Sequence, residues 1–313
     1  IDFLKNSGYA AVTRDSVRAL VKRRDQSPQT LDILYTIRPG SLYRFGDVYM
    51  SLSGPDQVEG FDDSTTVKGP PLTEPGFLIS MKKQDQAQTR FNLLTEQLKF
   101  RPGNRFDQSA YLQTINSFQN LGNIVMERFG LSENNSLPDY SKSEIPVYFE
   151  MRTLPKHSLR AELFGMRRYG FGTGIGTNYN NNNLFGRSEN LTLGINANFE
   201  FVPSGTLREI SPRDSLGNRG SVDSEIFRSY EVRTEYAVPR LNFPFTNLSD
   251  RWWIESARTR YSLAYSQSNQ LFFDINTDIR FNLRYEFRHN ARLISLLDLL
   301  ELDIVDTTPS DQF

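Results

Sequence analysis

The sequence predicts two architectures in one chain: small α+β units over roughly the first half, and a sheet of long antiparallel strands over the second. Two observations lead to this. From Phe273 to Phe287 every odd position is apolar, aromatic or Thr, while every even position from Asp274 to Arg288 is polar. Period-two alternation of that length describes a strand with two opposite faces, one charged enough that only water or opposite charge could line it. Helical spacing with glycine stops, in contrast, is confined to residues before His157, where strands and helices alternate.

Composition narrows the classes further. The 313 residues contain no cysteine, carry a net charge of -1, and have 12% aromatics and a mean hydropathy of -0.51. Disulfides, thiol catalysis and cysteine-ligated metal are therefore excluded. No window approaches the ~20 mostly apolar residues of a spanning helix, so a membrane role would require barrel strands, whose hydropathy looks soluble on average. A transmembrane strand needs roughly 9 to 11 tilted residues, and the 273–288 run could cross a bilayer and continue into water. No charged start, apolar core or small-residue cleavage site precedes Ile1, so a mature chain, or one cut from something longer, is expected.

Element by element, Ile1 to Ala11 reads as a short helical end closed by Gly8, followed by strands near Ser16 to Arg23 and Thr30 to Arg38. Pro39-Gly40 turns the chain into a strand from Tyr43 to Ser53. Residues 54 to 90, rich in Gly, Pro, Asp, Thr and Gln, read as an insertion with little core. Arg90 to Lys99 is helical in composition. Asp107 can cap a second helix, in which Tyr111, Leu112, Ile115, Phe118 and Leu121 recur near a 3.6 period before Gly122. Strands follow at Ile124 to Phe129 and Glu144 to Arg152. Both sets run helix, Gly-ended connection, strand, loop, strand, which suggests two copies of one module.

From His157 onward alternation takes over. Phe171, Thr173, Ile175, Thr177 and Tyr179 interleave with glycine and asparagine; Leu191 to Phe201, Tyr230 to Val238 and Ala257 to Tyr265 repeat the pattern. With strands near Ser158 to Arg168 and Ile294 to Val305, about seven are expected. The 202–229 connection is long and polar while 180–187 is tight, as in barrels with long loops on one side and short turns on the other. Single-chain bacterial barrels usually have an even strand number from eight upward, and an open sheet would leave unpaired edges in lipid. The expectation is that the polypeptide continues past Phe313.

These residues resemble the BamA/TamA outer-membrane assembly superfamily, in which periplasmic POTRA domains precede a 16-stranded barrel. Gly8-Tyr9, the run Leu31 to Gly40 and Tyr43-Arg44-Phe45-Gly46 look like the end of one POTRA domain and the first strand of the next. Phe100 to Phe106, Leu121-Gly122 and Ile145 to Glu150 look like the last one. Asn183 to Glu189 resembles the turn between barrel strands two and three, and Pro239 to Phe245 the turn after strand four. The flavour is closest to TamA-like proteins of Bacteroidetes-type bacteria. The implied fold class is α+β POTRA modules followed by an antiparallel transmembrane β-barrel. The implied domains are 1–53 (the end of a POTRA domain running into the next one's first strand), 54–156 (the last POTRA domain with its 54–90 insertion) and 157–313 (the N-terminal part of the barrel). The first POTRA copy lacks its opening strand and helix, the 54–90 insertion is not standard, and the family's Arg-Gly-Phe/Tyr element is absent, as expected for a barrel cut at strand seven.

Other chemistry reads weakly. His157 and His289 lack the spacing of a metal site. The run Gly170 to Gly176 continues the alternation and has no following Lys-Ser/Thr to hold phosphate, which favours a strand with small residues on one face. Glu231, Arg233 and Glu235 read as a lumen charge ladder, and Trp252-Trp253 as interfacial residues. A net charge of -1 without a basic cluster provides no footprint for nucleic acid.

The resemblance implies a non-enzymatic factor, without cofactor or metal, in the bacterial outer membrane with periplasmic N-terminal domains. It would insert β-barrel or surface proteins by strand templating at a lateral gate. Its partners would be the bilayer, unfolded outer-membrane clients and periplasmic or lipoprotein accessory subunits. The expected gate strand carries Leu159, Ala161, Leu163 and Gly165; Leu31, Ile33, Val147 and Phe149 mark the expected strand edges in the POTRA modules. The alternatives are a two-partner-secretion pore of the same superfamily, a barrel enzyme with a rim nucleophile, and a soluble β-sandwich.

Overall fold

The computed structural model describes residues 1–24, 27–55, 63–133, 136–210, 223–241, 256–269, 273–290 and 292–309. They fall into two compact units, Ile1–Leu154 and Pro155–Phe313. The chain is mostly antiparallel sheet with few helices, and among the described residues no helix is long and apolar enough to cross a membrane.

The first unit opens with α1 (Asp2–Asn6) and a separate antiparallel pair, β1 (Val17–Arg24) and β2 (Ser27–Ile37). A five-stranded mixed sheet follows, built from β3 (Arg44–Ser53), β4 (Asp63–Lys68), β5 (Leu78–Lys83), β6 (Ile124–Gly130) and β7 (Glu144–Thr153) in the order β4-β5-β3-β7-β6. β3 runs parallel to both β5 and β7. The connections that parallel pairing requires are supplied in part by α2 (Phe91–Gln97) and α3 (Gln108–Gln119).

Alternation within β3 and β7 sends Phe45, Val48, Met50 and Leu52, and Ile145, Val147, Phe149 and Met151, into one core. Phe45 stacks on Phe100 at 3.9 Å between ring centroids, and Phe118 of α3 meets Phe149 edge-on at 5.1 Å. Asp107 caps α3 by accepting from the Ser109 and Ala110 amides at 2.8 and 3.3 Å, satisfying two donors the helix itself cannot. Tyr111, Ile115, Phe118 and Leu121 pack inward, but Leu112 is exposed. The helical period places it at the margin of the buried face, beyond the sheet's reach.

The 54–90 segment differs from its expectation. It contributes β4 and β5 as a hairpin that widens the sheet, and Ile79 and Met81 of β5 are fully buried against β3. Two alternating apolar residues amid a polar stretch are too short a signal to read as a core strand. The two helix-strand sets also differ from one another. The first is a free-standing pair of strands; the second is completed by β3, which precedes its helices by nearly forty residues.

Burial holds the Tyr111 hydroxyl neutral and pushes its pKa up to about 12. An unfolded tyrosine ionises near 10, so Tyr111 supports the fold fully below pH 10 and that contribution is lost as pH rises from 10 to 12. Hydrogen exchange in α3 and β7 should accelerate over this window, and Tyr111→Phe should remove that part of the acceleration.

The second unit is one antiparallel meander of β8 (His157–Arg167), β9 (Phe171–Asn182), β10 (Asn190–Val202), β11 (Glu225–Val238), β12 (Ser256–Asn269), β13 (Phe273–Asn290) and β14 (Leu293–Pro309). Each strand pairs with its sequence neighbour, so the sheet runs β14 to β8 and is not closed. A short helix, α4 (Ser204–Ile210), follows β10, with Leu207 buried against Val202 and Phe227. Asn242 to Phe245 and Trp252-Trp253 lie outside the described residues.

Candidate functional site: a free strand edge beside an exposed apolar face

Register assigns every side chain of the second unit to one of two faces. One face carries Leu159, Leu163, Ile175, Leu193, Ile195, Val232, Leu263 and Leu302, all substantially exposed. Tyr236 and Tyr261 lie toward one end of this face, and Phe199, Phe201 and Phe171 toward the other. Tyr236 stacks on Tyr261 with centroids 6.2 Å apart, and Phe199 meets Tyr230 edge-on at 5.8 Å. The face is covered locally where Leu241 folds over Ala257 and the fully buried Tyr285. Elsewhere it is open, with large apolar side chains exposed on neighbouring strands, the kind of contiguous apolar patch that marks an interaction or membrane surface.

The opposite face is polar and paired. Arg260 on β12 bonds Glu235 on β11 at 2.6 Å and Glu286 on β13 at 3.0 Å. Arg284 grips Asp298 on β14 with two bonds of 2.7 and 3.1 Å, and Arg233 pairs with Glu231 at 2.5 Å. The charge ladder expected at Glu231, Arg233 and Glu235 therefore extends over four strands, as cross-strand pairing of opposite charges favours. Toward β9 the face carries small and uncharged residues: Gly172, Gly174 and Gly176 lie beneath Phe164, Met166, Asn196 and Asn198. The glycine run thus belongs to a strand, as its alternation implied.

β8 is an edge. Among the described residues it pairs with β9 alone, in unbroken register from His157↔Asn181 to Arg167↔Phe171. The Asn182 amide donates to the Lys156 carbonyl at 2.7 Å, which makes 156↔182 a hydrogen-bonded pair. Antiparallel ladders alternate bonded and non-bonded pairs, so even residues of β8 face β9. The odd ones, among them Leu159, Ala161, Leu163 and Gly165, turn their N–H and C=O groups to the free edge. The same odd residues hold the apolar face, with Leu159 and Leu163 75% and 80% exposed. All four gate residues named from the sequence are brought together here.

Of the four module-edge residues, two are misplaced. Val147 and Phe149 lie on β7, which is bonded to β3 on one side and β6 on the other, and both side chains are core. They are not at an edge. Parallel pairing of the distant β3 puts β7 in the middle, leaving β4 and β6 as the outer strands of that sheet. Leu31 and Ile33 lie on β2, which among the described residues pairs with β1 alone, and share an exposed apolar face with Val21, Tyr35 and Ile37.

Two buried carboxylates escaped sequence reasoning. Glu200 accepts from three successive amides, Arg168, Tyr169 and Gly170, at 3.2, 2.6 and 2.8 Å, in the connection between β8 and β9. Glu189 accepts from Phe185 and Arg187 at 3.3 and 3.0 Å in the β9–β10 connection, where Asn183, Gly186 and Ser188 all have positive φ. Nothing in the strand pattern marks either, because each acts on backbone rather than on a recognisable partner side chain.

His157 Nδ1 lies 2.7 Å from the Tyr179 hydroxyl and His289 Nε2 2.9 Å from the Ser295 hydroxyl. Among the described residues no group of three or more His, Asp or Glu is placed to hold a metal.

No protein-family model matches the sequence, and no curated protein sequence matches it. Among solved structures, the chain is similar to BamA from Haemophilus ducreyi lacking POTRA domains 1–3, at TM-score 0.38 and 10% identity, over 92% of this chain and 51% of that one. It is also similar to CdiB from Acinetobacter baumannii, at TM-score 0.28 and 10% identity, over 95% of this chain and 51% of that one. The chain spans about half the length of either structure.

Proposed function

We propose that this chain is part of an outer-membrane assembly factor that inserts β-barrel or surface proteins by templating their strands on the free edge of β8. The class is a membrane-embedded sheet with an open edge; the particular family we infer is the BamA/TamA superfamily. The observation that supports this most is that one strand combines an unpaired ladder of backbone donors and acceptors with side chains on an exposed apolar face. In water such an edge invites aggregation. At a bilayer it offers an incoming strand main-chain hydrogen bonds where no water competes for them.

The face itself supports a membrane location. An apolar band bounded by aromatic residues, backed by a polar face with paired charges, is how a transmembrane barrel divides lipid from lumen. A β-sandwich would instead need a second sheet over the apolar face, and among the described residues of this unit there is none. In this reading, the α+β unit with its β3-β7-β6 sheet and helices α2 and α3 is a periplasmic POTRA-type module, in which β4 and β5 are an insertion. The strand edges available to clients or accessory subunits are then β2, β4 and β6. The mechanism is non-enzymatic: the client's own hydrogen bonds supply the driving force, and the protein supplies a register.

The test is the folding rate of an unfolded outer-membrane protein in liposomes that contain the protein, with ion conductance recorded on the same vesicles. Accelerated client folding is the expected result. Conductance without acceleration would identify a two-partner-secretion pore, and the absence of both signals would overturn the membrane-assembly reading.

A further inference from the structure

Glu200 is the one carboxylate whose single oxygen, Oε1, holds every amide of the short β8–β9 connection. The residue is 7% exposed, and a carboxylate that far from water persists only when its charge is satisfied by hydrogen bonds. Three converging N–H groups form a small anion-binding concavity, already filled by the protein's own side chain. The neighbouring residues tighten the same point. Tyr169 packs against the cluster of Val202, Leu207 and Phe227, so the turn is also held by α4 and β11. A Cβ on Gly170 would collide with the Phe201 carbonyl and the Val202 Cα, so the turn lies directly on the β10 backbone.

The consequence concerns β8. A strand bonded on one side has half the ladder of an interior strand and frays from its ends. β9 stands between β8 and β10; Phe164 and Met166 reach over the β9 glycines toward β10, and this turn adds the hydrogen bonds that tie the end of β8 to it. We propose that Glu200 is the positioning residue of the templating edge: by locking residues 168–170 onto β10 it holds β8 straight and in register, so that the outward amides of Leu159, Ala161, Leu163 and Gly165 form a continuous template. This rests on the templating function proposed above and names the group that keeps that site ordered.

The experiment measures two things on the reconstituted protein. Backbone amide exchange is followed over 157–170 without client, and client folding is followed with the same vesicles. Glu200→Ala should raise exchange at residues 168–170 and along β8, leave the β11–β13 amides protected, and slow client folding roughly tenfold or more, as expected for loss of charge-assisted hydrogen bonds. Glu200→Gln, which keeps an acceptor oxygen, should recover part of both signals. Gly170→Ala, which displaces the turn without touching the carboxylate, should reproduce the Ala phenotype if Glu200→Ala fails to fold. Unchanged exchange along β8 in a folded Glu200→Ala overturns the latch, as does equal loss of protection throughout the sheet. If the unaltered protein does not accelerate client folding, templating is overturned, while exchange alone still decides whether Glu200 orders the edge.

Discussion

Leu163→Pro is expected to leave the seven-stranded sheet folded and to abolish most of the acceleration of client folding, while Leu163→Ala retains it. Proline removes one backbone donor and restricts φ to near -65°. At Leu163 that donor points away from β9, because even residues of β8 carry the β8–β9 bonds. The substitution therefore costs no ladder bond, and edge strands tolerate proline on their free side. An incoming strand, by contrast, meets a gap in the middle of its template and a ring where its own carbonyl should sit. Alanine removes only a side chain that is 80% exposed and keeps the donor. Glu162→Pro is the control for placement. It removes a hydrogen-bond donor that β8 gives to β9, so β8 should detach and the hairpin lose protection from exchange. The ranking Glu162→Pro, unfolded at the edge; Leu163→Pro, folded but inactive; Leu163→Ala, active, is checked by amide exchange together with client folding in liposomes. Equal client folding by Leu163→Pro and Leu163→Ala would falsify templating through backbone groups.

Ile195→Lys is expected to weaken folding into a bilayer by about 2–4 kcal/mol, the cost of a basic residue near the midplane of a lipid-facing strand. Ile195 lies in the interior of the sheet, paired with Thr177 on one side and Val232 on the other, and its side chain is on the exposed apolar face. Its neighbour Asn196 points to the opposite face, across from Glu231. Asn196→Lys places the same charge beside a carboxylate on the polar side and should cost little. The pair of substitutions differs by one residue in position and by a whole face in environment. Urea titration of folding into vesicles, read by protection from protease, separates them. If Ile195→Lys is neutral, the apolar face does not meet lipid, and a soluble or partner-covered sheet takes its place.

Most of the strands, and the faces of each, are legible locally. The alternation at Phe171 to Tyr179, Leu191 to Phe201 and Phe273 to Phe287 is local, since a pleated strand sends neighbours to opposite sides whatever its partners are. Hairpin neighbours followed for the same reason: consecutive strands joined by short connections pair with each other, so β8 could be recognised as the first of the meander and its odd residues as one face. The cap at Asp107 was equally legible, because the N–H groups it satisfies lie within three residues of it.

Which strands are interior depends on pairing between distant segments. Ile145, Val147, Phe149 and Met151 read correctly as one apolar face, but alternation says nothing about what lies on either side of a strand. β3, a hundred residues earlier, closes one side of β7 by parallel pairing. The same holds for Ile79 and Met81, whose burial depends on β5 finding β3. Glu200 is the extreme case. A glutamate at the end of a strand looks like any solvated charge until the fold brings three amides of a different turn to its oxygen. Side-chain direction is set by the residue's own backbone and so is written locally. Neighbourhood is set by loop closure and pairing over long separations, and becomes definite only when the whole sheet has formed.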